Sequence, residues 1–315
     1  MIPILIFSLL AWCVQGYTLV HDYDYKNWYE SFTFETLPDP TNGFVDYISL
    51  AEAQALGMTR IIGNQVYMSV DNTYIVQHSD GGRKSIWLEC NDEFLHGLLI
   101  GDFAHVPGSD CGTWPGFWTI RNNPGPYGEI DIYEGFNDID QVYMTLHTSG
   151  NCSFNPPASY ESGASNNNNY DCKLNNPVGC SVGGPVGSYG SSFNAQGGGV
   201  FAMEWTSTFI RIYFFPRSAI PADITAGKPD PSSWGVAAAD FDSQYGDCDI
   251  DANFPPQTIY FDTTFCGADA GGKSWTSWTD CSAKTGYLTC EDYVANNPHA
   301  YDDSYWLVNS LKVYQ

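Results

Sequence analysis

The chain is poor in basic residues, with 12 Lys and Arg against 36 Asp and Glu and a formal net charge of −24. Contacts to phosphate groups need clustered Lys and Arg, so this deficit argues against a DNA- or RNA-binding protein. The same charge argues against anionic membranes and anionic polymers as partners. A neutral substrate is the natural complement of such a surface.

Long apolar runs are absent after the N-terminus, so no internal segment is predicted to cross a membrane. The first stretch, MIPILIFSLLAWCVQG, is apolar, carries no charged side chain and is too short to span a bilayer comfortably. It has small residues near its end and is predicted to be a secretory signal peptide over residues 1–16. We therefore expect a secreted, extracellular protein with a single domain over residues 17–315.

Paired C-x-x-C units are also missing, which argues against a zinc site. Removal of Cys13 with the signal peptide would leave nine of the 10 Cys, and in a secreted protein these are expected to form disulfides. An odd number leaves one thiol unpaired. In SIWLEC, Ile86, Leu88 and Cys90 alternate onto one face of a predicted strand, so Cys90 is the candidate for a free, buried thiol. The pairing of the other eight stays open.

Helical periodicity is nearly absent and shows only around Ala51–Leu56 and Asp292–Asn296. Short runs rich in β-branched and aromatic residues recur instead, bounded by Gly, Pro and Asn, which is typical of strands and turns. They include ESFTFET, QVYMSVD, HGLLIGDFAHV, EIDIYE, QVYMTLHT, GVFAMEWT, TFIRIYFF, QTIYFDTTF and SYWLVNSLKVY. The predicted fold class is all-β, an antiparallel β-sandwich. Pro156 to Gln196 is predicted to be an irregular loop that Cys172 and Cys180 help to hold.

Aromatic residues are abundant, at 16% of the chain with 10 Trp and 21 Tyr. Strands favour aromatic residues, which accounts for part of this surplus. The remainder suggests that some rings line a binding surface. Rings and carboxylates that face a neutral polymer point to carbohydrate.

Three acids interrupt an otherwise apolar strand in GEIDIYEG, at positions 128–135. Plain alternation would place Glu129 and Asp131 on one face and would bury Glu134 beside two isoleucines. A β-bulge with one extra residue, Ile132 or Tyr133, resets the alternation and returns Glu134 to the face of the other two acids. The sequence therefore predicts a bulge at this point.

The predicted arrangement suits glycoside hydrolysis. With the bulge, the Cα atoms of Glu129 and Glu134 are separated by about 13 Å at ~3.3 Å per residue, and two Glu side chains on a concave sheet can close most of that gap. Retaining glycosidases hold their two carboxyl groups roughly 5–5.5 Å apart, one as nucleophile and one as proton donor. Asp131 between them would raise the pKa of a neighbour or share its proton. The alternatives are a Ca²⁺ site and a solvated strand edge.

The motif GEIDIYEGFN resembles the E-x-D-x-x-E signature of glycoside hydrolase family 16 in its bulged form. Further segments resemble secreted fungal endo-1,3(4)-β-glucanases (laminarinases) in the same order along the chain. They are HGLLIGDFAHVP at 96–107, CGTWPGFW at 111–118, MTLHTSGNC at 144–152, FAMEWTSTFIRIYFFPR at 201–217, and then GDCDI, TFCGADAGG and LKVYQ. The resemblance covers roughly Trp28 to Gln315. Eight of the nine cysteines fall where these enzymes have theirs, and Cys90 is the additional one.

The resemblance implies a curved β-jelly roll with a substrate cleft across its concave face. It implies Glu129 as nucleophile, Glu134 as general acid/base and Asp131 as their helper. It also implies substrate-binding positions on or behind the cleft, namely Trp118, His147, Trp114 and Asn137. Core packing is the alternative for Trp114, and a structural hydrogen bond is the alternative for His147. Glu204 in MEWT is a further candidate for a cleft residue.

Three segments depart from the family pattern. Ser85-Ile86-Trp87 stands where the family commonly has S-x-R, so a ring replaces an arginine. The segment from Asn123 to Gly128 lacks the tryptophan of the family's N-W-P-N-G-G loop, although Tyr127 lies close by. Ala268-Asp269-Ala270 replaces D-W-A, which removes another ring. These departures leave the chemistry in place and alter its surroundings.

We therefore expect a retaining endo-β-glucanase that acts on β-1,3-linked or mixed 1,3/1,4-linked glucan as a monomer. No cofactor and no metal are expected. The first alternative is a cell-wall β-glucan transglycosylase that uses the same residues. The second is a β-glucan-binding protein without catalysis.

Overall fold

The computed structural model describes residues 16–121, 125–165 and 170–315. Nearly all of the predicted signal peptide therefore lies outside the described residues, as do Asn123 and Pro124 of the loop before Gly128 and the asparagine run at 166–169. Among the described residues, none of the helices has the length and apolar character that crossing a lipid bilayer requires.

Strands dominate the chain, and all nine runs quoted above contain one. The strands are β1 (Leu19–Tyr23), β2 (Phe32–Phe34), β3 (Val45–Tyr47), β4 (Thr59–Ile62), β5 (Gln65–Ser69), β6 (Arg83–Ser85), β7 (Trp87–Phe94), β8 (Gly97–His105), β9 (Thr113–Ile120), β10 (Gly128–Glu134), β11 (Tyr143–Thr148), β12 (Ala164–Ser165), β13 (Cys180–Gly183), β14 (Gly199–Trp205), β15 (Phe209–Pro216), β16 (Ala239–Asp242), β17 (Gln257–Phe265) and β18 (Tyr305–Tyr314).

Two large antiparallel sheets form a sandwich, as predicted. Sheet I runs in the order β16-β15-β14-β8-β18-β5-β4, with β1 paired to β18. Sheet II runs in the order β12-β13-β11-β10-β9-β17-β7-β2. A separate parallel pair joins β3 and β6. Strand β10, which carries the three acids, therefore lies in the interior of sheet II.

The main hydrophobic core lies between the two sheets. Ile130 and Ile132 of β10 enter it from sheet II, and Leu99 and Phe103 of β8 enter it from sheet I. A second cluster lies on the outer face of sheet I, around Leu98 and its neighbours. The outer face of sheet II carries polar and aromatic side chains instead, and the acids of β10 point to this face.

Helices are short and lie in the connections between strands. They are α1 (Trp28–Ser31), α2 (Leu50–Ala55), α3 (Gly190–Ala195), α4 (Ala222–Thr225), α5 (Ile250–Asn253), α6 (Gly267–Ala270), α7 (Cys281–Thr285) and α8 (Cys290–Asn296), with a π-helical turn at Ser274–Trp278. The two predicted helical segments correspond to α2 and α8. The prediction of an irregular stretch from Pro156 to Gln196 was wrong in part, because this stretch contains β13 and α3.

Four disulfides between described residues hold the connections between the strands. The pairs, which the sequence left open, are Cys111–Cys281, Cys152–Cys248, Cys172–Cys180 and Cys266–Cys290. Cys90 is free and buried, as predicted. The first pair ties the residues before β9 to α7, and the fourth ties the end of β17 to α8. The segments that follow β17 are thereby held close to sheet II.

Candidate active site

The bulge predicted in β10 is confirmed by the pairing of its neighbours. Asp131 lies opposite Thr145 of β11, and Glu134 lies opposite Tyr143, so three steps on β10 match two on β11. The register with β9 shifts at the same place. Ile132 and its successor Tyr133 both have no exposed surface, which shows that both enter the core. The extra residue therefore resets the alternation and returns Glu134 to the outer face.

Two tryptophans of β9 lie beside these acids. The indole nitrogen Nε1 of Trp114 donates a hydrogen bond of 2.9 Å to Oε1 of Glu134. Trp118 is the cross-strand neighbour of Asp131. Its ring stacks on Tyr260 of β17, with ring centroids 4.7 Å apart. The structure thus brings both predicted tryptophans to the acids, and the core-packing alternative for Trp114 does not hold.

His147 lies on the other side of the acids, on β11, directly opposite Glu129. Its Nε2 atom is 3.8 Å from Oδ2 of Asp131. Burial lowers the pKa of His147 to about 4, so the imidazole is neutral above that pH. The side chains of Glu129, Asp131 and His147 each place one ligand atom within 4.8 Å of the others, so this group has the geometry to hold a cation. The expectation of no metal stays a prediction.

Asn137 lies behind the site rather than on its surface. Its side chain has no exposed surface. The Oδ1 atom accepts a hydrogen bond from the backbone N–H of Gly112 at 2.7 Å, and Nδ2 donates to the carbonyl oxygen of Ala270 at 3.1 Å. Asn137 therefore fixes the segment before β9 against α6. A direct contact of this side chain with substrate has no support in this structure.

Burial favours the protonated form of all three acids. It raises the pKa of Glu129 to about 7, while a hydrogen bond from the Tyr127 hydroxyl opposes the shift. Burial, followed by the charge of Asp269, raises the pKa of Glu134 to about 8. Burial and the charge of Glu129 hold the pKa of Asp131 well above its usual range. A raised pKa suits an acid that must keep its proton until it gives it to a leaving group, whereas a nucleophile must be ionised against it.

Sequence reasoning missed Asp262, an acid on β17. Burial raises its pKa to about 7. Its Oδ1 atom accepts a hydrogen bond of 2.8 Å from Nε1 of Trp118, and its Oδ2 atom accepts one of 3.3 Å from the Tyr47 hydroxyl. The signal was present in QTIYFDTTF, where one acid interrupts an apolar strand as in β10. Asp262 fixes the orientation of the Trp118 ring.

Two other residues noted from the sequence lie apart from the acids. Trp87 is the cross-strand neighbour of Asp262 on β7, and its ring centroid is 5.3 Å from that of Tyr47. It thus lies three strands away from β10 on the same sheet, with β9 and β17 in between. Glu204 lies on the outer face of sheet I, where the Tyr17 hydroxyl donates to its Oε1 atom at 3.0 Å. The structure therefore excludes Glu204 from the site.

Comparison with known proteins agrees with this geometry. The family model of XgeA-like catalytic GH16 domains matches residues 32–314. The chain belongs to glycoside hydrolase family 16. The GH16 chain is 41% identical over 305 residues to a probable endo-1,3(4)-beta-glucanase of Aspergillus clavatus, a match that covers 96% of this chain and 47% of the relative. It spans about half the length of the first curated relatives that it matches.

Two solved structures share the GH16 fold over their whole length. One is an elongating GH family 16 beta-1,3-glucosyltransferase, with a TM-score of 0.87 and 42% identity over 95% of this chain and 100% of the other. The second is Laminarinase 16A from Phanerochaete chrysosporium, with a TM-score of 0.85 and 36% identity over the same shares. The sandwich is therefore the GH16 jelly roll.

Replacing Glu134 by Gln is expected to stabilise this GH16 domain at pH 7 and to have little effect at pH 4. An unfolded Glu titrates near pH 4.3, whereas the pKa of Glu134 in the folded chain is about 8. Between these values the folded state keeps a proton that the unfolded chain releases, so the stability contributed by Glu134 falls as the pH rises. Gln removes this cost, and we expect the Tm to rise by roughly 5 °C at pH 7.

Differential scanning calorimetry at both pH values, at one fixed scan rate, tests this expectation. Glu30→Gln is the control, because Glu30 is exposed on α1 and makes no side-chain contact in the site. An equal change in Tm at pH 4 and pH 7 for Glu134→Gln would show that Glu134 is not buried as a neutral acid.

Proposed function

We propose that this chain is a retaining endo-β-glucanase that hydrolyses β-1,3-linked or mixed 1,3/1,4-linked glucan. The observation that carries the proposal is the bulge in β10, which brings Glu129 and Glu134 to one face with Asp131 between them. The names of the curated relatives and of Laminarinase 16A support a β-glucan as substrate. The family match over residues 32–314 supports the predicted single domain over 17–315.

The mechanism is a double displacement. The carboxylate of Glu129 attacks the anomeric carbon, while the carboxylic acid of Glu134 gives its proton to the glycosidic oxygen that leaves. A covalent glycosyl–enzyme forms on Glu129 and the first product departs. Glu134, now a carboxylate, takes a proton from water, which attacks the anomeric carbon and releases Glu129. The product keeps the β configuration, because the anomeric carbon is inverted twice.

The surroundings of the acids suit a neutral sugar chain. Trp118 and Tyr260 form a stacked pair of rings beside Asp131, and the faces of such rings pack against the apolar faces of glucose units. Asp262 fixes the tryptophan through its indole N–H. Neutral His147 adds a polar group without a charge. We propose that these side chains bind the glucose units next to the cleaved bond.

We also propose that the protein is secreted and works as a monomer outside the cell. The four disulfides support secretion, because disulfides persist in oxidising compartments. The predicted signal peptide agrees with this location. N-terminal sequencing of protein from the culture medium tests it, with cleavage between Gly16 and Tyr17 as the expected result.

A β-glucan transglycosylase is the second candidate function. The specific observation in its favour is the similarity to an elongating beta-1,3-glucosyltransferase at a TM-score of 0.87 and 42% identity. The two functions share the glycosyl–enzyme on Glu129 and differ in the acceptor, which is water in one and the hydroxyl of another sugar chain in the other.

Product analysis on a panel of laminarin, mixed-linkage glucan and cellulose separates the two functions. We expect shorter oligosaccharides from laminarin and from mixed-linkage glucan, with one new reducing end for each bond broken. Longer chains without a matching rise in reducing ends would favour the transglycosylase. Binding to laminarin without cleavage of any glucan would favour a binding protein. Glu129→Gln is the matched inactive control in every assay.

A further inference from the structure

Tyr127 lies immediately before β10, and hydrogen bonds hold its backbone in line with this strand. Its N–H donates a hydrogen bond of 2.9 Å to the Oγ atom of Ser149. Its carbonyl oxygen accepts a hydrogen bond of 2.9 Å from the backbone N–H of Ser149. These contacts continue the ladder between β10 and β11, in which Gly128 lies opposite Thr148. The position of Tyr127 is therefore set by backbone contacts that do not involve its ring.

The side chain of Tyr127 points to the face of the acids. Residues two apart on an extended chain share a face, so Tyr127 and Glu129 lie side by side. The hydroxyl of Tyr127 donates a hydrogen bond to Oε2 of Glu129. The residue is half-buried. A phenol that donates to a carboxylate forms a charge-assisted hydrogen bond, which is stronger than one between neutral groups.

We propose that Tyr127 is a positioning residue for the nucleophile: its hydroxyl holds Oε2 of Glu129, so that Oε1 is the oxygen that attacks the anomeric carbon. This inference rests on the proposed function, because it assigns a role relative to that reaction. The hydrogen bond is strongest when Glu129 carries its charge, so it also favours the ionised form that the attack requires.

The other titratable groups that face Glu129 do not provide this support. They are Asp131 and Glu134 on β10, His147 on β11 and Asp262 on β17. Asp269 on α6 acts on Asp131 and Glu134. The acids among them repel a second negative charge, and the imidazole is neutral. Within residues 16–121, 125–165 and 170–315, no Lys or Arg forms an ion pair with Glu129. The Tyr127 hydroxyl therefore supplies a stabilising contact that nearby cations do not.

Tyr127→Phe tests the proposal, because it removes the hydroxyl and keeps the ring. The acidic limb of the pH profile of kcat/KM on laminarin reports the ionisation of the free enzyme. We expect this limb to move up by about one pH unit, so that kcat/KM falls roughly tenfold at pH values below the limb. Above the limb, a loss of less than about threefold is expected, since Glu129 is then ionised in both proteins.

Tyr17→Phe is the matched control, since it removes a hydroxyl that donates to a glutamate on sheet I, far from the acids. Its pH profile should coincide with that of the wild type. A purely structural role for Tyr127 would lower kcat/KM by the same factor at every pH, and that result, or an unchanged profile, would overturn the proposal.

A second measurement does not depend on turnover. Titration of the ¹³C-labelled side-chain carboxyl of Glu129, assigned by the loss of its signal in Glu129→Gln, should shift to higher pH in Tyr127→Phe. An unmoved titration would overturn the proposal even if the enzyme is active. A shifted titration in a protein that cleaves no glucan would instead reject the proposed function and retain the hydrogen bond between Tyr127 and Glu129.

Discussion

Glu129→Gln is expected to lower kcat/KM on laminarin by about 10⁴-fold or more, the scale of loss that follows removal of a nucleophile. The carboxamide has nearly the same shape, can still accept the hydrogen bond from Tyr127 and remains in a strand paired on both sides. It is a very weak nucleophile, so the glycosyl–enzyme does not form. The loss should therefore fall on catalysis, while binding of laminarin stays within a few-fold of the wild type.

Initial rates from reducing-end assays, with laminarin affinity from isothermal titration calorimetry, measure the two effects separately. Glu204→Gln is the matched control, because Glu204 is also a half-buried glutamate that accepts a hydrogen bond from a tyrosine hydroxyl. It lies on the outer face of sheet I, away from the acids of β10. It should retain wild-type kcat/KM. Activity of Glu129→Gln above about 1% of the wild type, after exclusion of deamidation by mass spectrometry, would remove Glu129 from the nucleophile role.

The acids of β10 could be predicted from the sequence because the conflict that they create is local. Under strict alternation, the two isoleucines and the three acids of this strand cannot be separated onto opposite faces. A bulge is the smallest change that separates them. The free thiol was predictable for the same reason, since Ile86, Leu88 and Cys90 alternate within one strand. In both cases the evidence lies within a few residues of the chain.

The partners of these acids could not be predicted in the same way. Asp262 reaches Trp118 because β17 pairs with β9, and His147 faces Glu129 because β11 pairs with β10 in one particular register. A shift of either register by one residue would turn these side chains to the other face. Pairings between distant segments leave no local pattern, so residues such as His147 could be identified only through resemblance to a family.

The connections were the other gap in the sequence-based prediction. Helices such as α5 and α6 have only four residues, which is too short for an apolar periodicity to show. They are stabilised by their surroundings, as where Asn137 donates to the carbonyl oxygen of Ala270 at the end of α6. Cysteine pairing was open for the same physical reason, since it follows from where the connections pack.

Glu134→Ala is expected to lower kcat/KM on laminarin by about 10³–10⁴-fold, because the leaving sugar hydroxyl then receives no proton. An aryl β-glucoside of two or three β-1,3-linked units should behave differently, since a nitrophenolate departs without protonation. Its first step is expected to proceed and the glycosyl–enzyme to accumulate, giving a burst of nitrophenol followed by a slow steady state. The size of the burst should equal the concentration of active protein.

Azide distinguishes the roles of the two glutamates, because it can occupy the space that either truncated side chain leaves. In Glu134→Ala, azide is expected to speed the slow breakdown of the glycosyl–enzyme by about tenfold or more. The product should be a β-glycosyl azide, since azide attacks the face of the anomeric carbon from which water normally comes. In Glu129→Ala, azide replaces the nucleophile on the opposite face and should give an α-glycosyl azide in a single displacement. Proton NMR of the purified azides reads the configuration from the coupling at the anomeric carbon.

The reverse assignment of configurations would exchange the roles of the two residues while leaving the family and the fold intact. Absence of rescue in both variants, with folding confirmed by an unchanged Tm at pH 4, would contradict a glycosyl–enzyme on β10 altogether. The contacts of the two carboxyl groups favour Glu129 as nucleophile and Glu134 as acid. Burial raises the pKa of both, and each accepts one hydrogen bond, from Tyr127 at Glu129 and from Trp114 at Glu134. The charge of Asp269 adds to the shift at Glu134, which favours Glu134 as the acid that keeps its proton.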